Sequence, residues 1–85
     1  MSRQHHYVKI LPKYYRAVER KEKTFEIRFN DRDYKVYDIL HLQEYCGNDY
    51  TGREIIAEII YILDDENFCK EGYVAMSIKI LSINN

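Results

Sequence analysis

The densest polar cluster of this 85-residue chain lies between Lys21 and Arg32, in the run Lys-Glu-Lys-Thr-Phe-Glu-Ile-Arg-Phe-Asn-Asp-Arg. In an extended segment successive side chains alternate between two faces. Thr24, Glu26 and Arg28 therefore share one face, and Lys23 enters from the segment before them. A carboxylate flanked by two cations stays ionised and orients a guanidinium fork. Such a group can bind phosphate or hydrogen-bond the edge of a base. The same residues also suit a solvated strand face carrying an ordinary ion pair. A second candidate is Tyr50-Thr51-Gly52-Arg53, which brings a ring, a hydroxyl, a flexible backbone and a guanidinium into four residues. A turn leading into a strand accounts for its Thr and Gly equally well. His41 and Cys46, at an odd offset, fall on opposite faces of one strand and make no catalytic pair. His5 and His6 are adjacent, near an end expected to be floppy, and no third ligand is evident, so no metal site is expected. Cys46 and Cys69 fit no metal or redox spacing and read as reduced thiols. No glycine-rich phosphate loop or nucleophile elbow is present, and no cofactor is expected.

The elements that must position these residues follow from hydrophobic periodicity. His6–Leu11 reads as a strand with Val8 and Ile10 on one face. Pro12 stands where a helix best tolerates proline, and Lys13–Glu22 reads as a short helix whose Tyr14, Ala17 and Val18 share a face. Thr24–Phe29 alternates, with Phe25, Ile27 and Phe29 opposite Thr24, Glu26 and Arg28. Residues 30–33 form a turn cluster. Asp38–Cys46 is a strand burying Leu40 and Leu42, with His41 and Gln43 facing away. A loop covers residues 47–52. Arg53–Leu63 is the longest strand, with Ile55, Ala57, Ile59 and Tyr61 on one face. Its other face changes from Glu54 and Glu58 to Ile60 and Ile62, which predicts one exposed end and one end covered on both sides. Asp64–Gly72 is an acidic connection with room for one helical turn, and Tyr73–Ile83 is the final strand. With room for one further strand before Asp38, the order predicts an α+β domain over residues 1–85. Its expected form is a small, mostly antiparallel β-barrel with one N-terminal helix plugging an end.

Composition narrows the setting. A hydrophobic fraction of 46% supports a core and argues against disorder. The longest apolar run, Ile59–Leu63, is far too short to cross a membrane, and the opening residues lack a secretory pattern. A soluble cytoplasmic protein is expected. The net charge of −1 hides a split: residues 1–35 carry ten Lys/Arg against five Asp/Glu, and residues 36–85 carry three against nine. The halves can attract each other in the fold, or the first can form a localised basic surface. Nine tyrosines and no tryptophan suit half-buried strands and also stacking on bases.

These residues resemble a known family. Lys23-x-x-Glu26-x-Arg28 is similar to the Gly-x-Lys-x-x-Glu-x-Arg signature of the ASCH superfamily, whose members have a PUA-like β-barrel. The likeness is closest to a small, uncharacterised bacterial and phage branch. It extends through His6–Pro12, Lys23–Arg28, Asn30-Asp31-Arg32, Asp38-Ile39-Leu40, Tyr50–Arg53 and Gly72-Tyr73-Val74. At two places the chain departs from that pattern: Lys21 and Tyr37 stand where the family has glycine. Such glycines serve turns, so altered turns are expected, or a lysine and a tyrosine projecting beside the cleft.

What the resemblance implies is an RNA-related role, with ligand held between helix and barrel. Lys23 and Arg28 are then expected to contact phosphate or a base edge. Glu26 would orient Arg28 or accept from an exocyclic amine, with Thr24 beside it. Arg32 and Arg53 would extend the basic rim, and Tyr50, next to Thr51, would stack on a base. The expected partner is RNA or a nucleotide-like small molecule. The alternative implied by some relatives is a small hydrolase of acetylcytidine-type nucleosides or of RNA. There Lys23 would be the activating base. Glu26 stands where the deacetylating group has a Thr, and Glu58 is the candidate for its distal carboxylate. A protein-interaction module using exposed tyrosines and the acidic half is the third reading.

Overall fold

A computed structural model describes residues 3–85. Five strands and a helix follow in the order β1 (His5–Ile10), α1 (Pro12–Glu19), β2 (Phe25–Phe29), β3 (Ile39–Cys46), β4 (Asp49–Leu63) and β5 (Tyr73–Asn84). All five strands join one sheet, ordered β1-β3-β4-β5-β2. β1 runs parallel to β3, and the other three pairings are antiparallel. The sheet curls into a half-barrel, so that β1 and β2, its two edges, come to face each other. The expected barrel is thus a curled sheet with a gap. The room for a further strand, residues 30–38, is filled by bends and turns.

Strict alternation builds the core. Val8 and Ile10 of β1, Leu40 and Leu42 of β3, Ile55, Ala57 and Ile59 of β4, and Val74, Met76 and Ile78 of β5 all point inward. Each larger aliphatic side chain so buried contributes roughly 1.5–3 kcal/mol. α1 adds Tyr15 and Val18, both fully buried, and the Tyr15 hydroxyl donates to Oδ1 of Asn85. The inward face of α1 is therefore Tyr15–Val18 and not the expected Tyr14–Ala17–Val18. Eight residues are too few turns for periodicity to fix a helix's rotation, and Tyr14 stays 43% exposed.

β4 departs from expectation at both ends. It starts at Asp49, after a two-residue turn with Gly47 at φ +66°, a geometry that suits a tight hairpin. Tyr50, Thr51 and Gly52 thus lie in the strand and not in a loop. Farther on, the pairing with β5 slips between Ile56 and Ala57 and again between Ile59 and Tyr61. Such bulges bend a strand and change which side chains face in. After the second slip Ile62 packs against the core, while Ile60 and Tyr61 turn outward, 46% and 63% exposed. The far end is therefore not covered on both sides. The acidic connection does make one turn, with Cys69 N–H donating to Asp65 O at 2.8 Å.

The two positions at which the resemblance expects glycine both have a left-handed backbone, the conformation that glycine favours: Lys21 has φ 63° and Tyr37 φ 78°. Lys21 follows the C-terminus of α1, where its N–H donates to Val18 O and that of Glu22 to Ala17 O, both at 2.9 Å. This is the Schellman closure, which favours glycine at the left-handed position. His5 and His6, expected near a floppy end, lie in β1 and pair with β3. His6 is buried, with Nε2 2.9 Å from Oδ2 of Asp38, and Asp38 also accepts from the N–H groups of Gln4 and Lys35.

Replacing Lys21 by glycine removes about 1–2 kcal/mol of left-handed strain and adds back about 0.4–1 kcal/mol of unfolded-state entropy. Lys21→Gly should therefore raise stability by roughly 0.5–1 kcal/mol in urea denaturation, and a fall would show that the side chain contributes more than its backbone costs. Burial alone pushes the Asp38 carboxyl up, but the hydrogen bonds from His6, Gln4 and Lys35 outweigh it and hold the group below its ordinary 3.8. A depressed carboxyl stabilises the fold fully above that ordinary value and ceases to do so as pH falls through the lower folded-state value. Asp38→Asn should cost about 2 kcal/mol at neutral pH, and the gap from wild type should close below about pH 4. A gap independent of pH would rule out this linkage.

Candidate functional site

β2 contributes no apolar side chain to the core. Phe25, Ile27 and Phe29 face outward, 45%, 59% and 54% exposed, and Glu26 points inward at 3%. The polar face of this strand is thus the interior one. Lone burial of an ionised carboxylate is prohibitive, and both oxygens of Glu26 are engaged. Lys23 Nζ donates to Oε1 and also to Phe25 O at 2.6 Å. Arg28 Nε donates to Oε2 at 2.9 Å. The Schellman turn after α1 is what delivers Lys23 to this position.

Arg28 does a second thing. Its Nη2 donates to Lys9 O at 2.7 Å, and Nη1 of Arg32 donates to Tyr7 O at 2.7 Å. Tyr7 and Lys9 present their backbone groups to the edge of β1 away from β3, since alternate residues point opposite ways. Two guanidinium groups from β2 and the turn after it thus cap the β1 edge and bridge the gap in the half-barrel.

Beside this bridge, between α1 and β2, opens a cleft of about 700 Å³. Lys23, Glu26 and Arg28 form its polar side, and Ile10, Tyr14 and Phe25 are among its apolar walls. Lys23 Nζ lies 4.9 Å from the Phe25 ring centroid and 5.9 Å from that of Tyr14. Two N–H groups of Arg28 and two of Lys23 are engaged. The rest of the guanidinium and one ammonium N–H stay available to a ligand.

The structure brings together Lys23, Glu26 and Arg28, and it disperses the other candidates. Thr24 is exposed, and its carbonyl accepts from Ile78 N–H. Arg32 sits farther along the β1 edge. Tyr50, Thr51 and Arg53 lie at the β3–β4 hairpin around a second buried carboxylate, Glu44, which is 3% exposed. Thr51 Oγ1 donates to Glu44 Oε1 at 2.7 Å, and Arg53 Nε lies 3.6 Å from the same oxygen. Tyr50 packs edge-on against Tyr45, with Lys9 Nζ 4.3 Å from the Tyr45 ring. Glu58 projects from the other face of β4 and pairs with Arg3 at 2.8 Å. Sequence reasoning missed Tyr14 as a cleft residue because it assigned that ring to the core.

Residues 5–78 match a family described as a domain of unknown function (DUF3850). The chain belongs to this family. No curated protein matches it. The matched span runs from β1 into β5, so the cleft, the guanidinium bridge and the Glu44 cluster all lie within the DUF3850 region.

The two oppositely charged parts of the chain are little paired with each other. Among the described residues, Arg3–Glu58 is the one Lys/Arg pair that joins the basic first 35 residues to the acidic remainder. No group of three His, Cys, Asp or Glu side chains among them is arranged to hold a metal, and no helix is long and apolar enough to cross a membrane.

Truncating one partner of a buried charge leaves the other uncompensated, at a cost of about 3 kcal/mol. Arg28→Ala should therefore lose that much stability. Arg28→Lys keeps a cation for Glu26 but not the fork that also reaches Lys9, and should lose about 1 kcal/mol. Equal losses in the two variants by chemical denaturation would show that the bridge to β1 contributes nothing.

Proposed function

We propose that the protein is a PUA-like module of the ASCH type that binds a nucleotide-like unit, free or within RNA, in the Lys23–Glu26–Arg28 cleft. One observation carries this reading: available cationic N–H groups and half-exposed aromatic rings meet in a single concave site. That pairing suits phosphate or a base edge on one side and the flat face of a base on the other. Glu26 acts as the fixed acceptor that holds both cations in register. Tyr14 takes the stacking role that the sequence suggested for Tyr50.

Binding without catalysis fits better than hydrolysis. Each oxygen of Glu26 accepts from a cation that holds it in place, which suits a fixed acceptor better than a group that carries a proton. Glu58 is on the opposite face of the sheet, and Glu22, at the rim, is exposed to solvent. The outward row of Phe25, Ile27 and Phe29 favours an additional protein contact.

The test is equilibrium binding of uridine monophosphate and short uridine oligonucleotides. Tyr14→Ala should weaken binding by the roughly 1–3 kcal/mol typical of one stacked base, without lowering stability by more than about 0.5 kcal/mol. With one or two phosphates engaged, the logarithmic salt slope should be about −1. No binding by wild type, or binding by Tyr14→Ala and Lys23→Ala as tight as that of wild type, would overturn the assignment.

A further inference from the structure

The β1 edge leads to a second cleft, of about 980 Å³, at its other end. Arg3, Arg32, Lys35 and Tyr37 line it, together with Asp33 and Asp38. The carboxylates are engaged: Asp33 pairs with Lys35 at 3.2 Å, and Asp38 accepts from His6, Gln4 and Lys35. Arg3, paired with Glu58, and Arg32, 3.9 Å from Asp31, keep 48% and 44% of their side chains exposed, which leaves further guanidinium N–H groups open to an anion. Tyr37 is 63% exposed and held at φ 78°, a backbone conformation that disfavours any side chain. Its N–H donates to Ile59 O at 2.7 Å, so the ring projects from an anchored point. Core packing gives no reason for an aromatic residue there.

The two clefts lie along one line. Arg28 lines the first and binds Lys9 O, and Arg32 lines the second and binds Tyr7 O. These carbonyls are two residues apart on one strand edge, roughly 6.5 Å. A ring beside cations at each end, joined by a short guanidinium row, is the pattern that single strands recognise through alternate stacking and phosphate contacts.

We propose that the second cleft is a further nucleotide subsite. Tyr37 stacks on a base, and Arg3 and Arg32 meet phosphate. The ligand is accordingly a single-stranded oligonucleotide laid along the β1 edge from Tyr14 to Tyr37. This rests on the reading of the first cleft as a nucleotide site, and it adds a length requirement.

The experiment measures the affinities of uridine monophosphate and of uridine di-, tetra- and octanucleotides at fixed salt. In wild type the tetranucleotide should bind at least about tenfold more tightly than the mononucleotide, as expected when a second stacked base is added. Tyr37→Gly, which relieves the left-handed backbone and should be at least as stable as wild type, should reduce that ratio below about threefold. Arg3→Ala should reduce it as well. Tyr61→Ala, which removes an equally exposed ring outside both clefts, should leave the ratio intact. A ratio near one in wild type, or one unaffected by both Tyr37→Gly and Arg3→Ala, overturns the second subsite and leaves the first. Oligonucleotide binding that needs Tyr37 but not Tyr14 overturns the first and leaves the second. Absence of binding at every length overturns both.

Discussion

A carboxylate buried between two cations inside a small half-barrel is the constraint around which this structure is arranged. Glu26 is almost fully buried, and nothing apolar can accompany it on the inner face of β2. It is tolerable only because Lys23 and Arg28 reach it from either side. Satisfying it fixes three things together: the chain direction after α1, the inversion of β2 that turns its phenylalanines outward, and the approach of the β2 edge to β1 through the far end of Arg28. A hydrophobic residue at position 26 could pack, but it would have no means of orienting the guanidinium that closes the gap.

The two sequence motifs turn out to share one design. Lys-x-x-Glu-x-Arg wraps Glu26, and Tyr-Thr-Gly-Arg wraps Glu44 from the neighbouring strand. In each case an arginine and a second polar side chain stand at a buried acid. The Glu26 cluster retains donors facing a cleft. At Glu44, by contrast, Thr51 and Arg53 close over a single carboxylate oxygen, with the Tyr45–Tyr50 pair packed alongside. That difference is why the same kind of motif reads as a site in one place and as a brace in the other.

Much of this was legible in the sequence and some could not be. Alternation located all five strands, and the inward residues of β1 and β3 followed from period two alone. The grouping of Glu26 with Lys23 and Arg28 was also visible, because it is local. Which face of β2 turns inward was not, since three large apolar residues opposite a charged set point to the wrong answer unless the cations are known to neutralise the acid. Nor could the slips in β4 be anticipated: a bulge shifts phase by one residue without any composition signal, which is how Tyr61 and Ile62 came to exchange faces. At position 21 only the backbone shows that a lysine takes up the left-handed geometry that glycine favours. The second cleft assembles residues 3, 32, 35 and 37 from two chain segments, and no spacing rule reports such an encounter.

The strand order has a consequence for how the chain reaches this state. β3, β4 and β5 are consecutive in sequence and pair as a meander, so their contacts close short loops. The first 29 residues supply both outer strands, one at each end of that meander. β1 must find β3 across α1 and β2, and β2 must find β5 across the whole meander, at a greater entropic cost of loop closure. Assembly therefore has a natural order, with an acidic meander forming early and a basic N-terminal segment docking on it from both sides. The guanidinium contacts to Tyr7 and Lys9 need both outer strands in place, so they join the two ends of the chain's first segment only once each has docked.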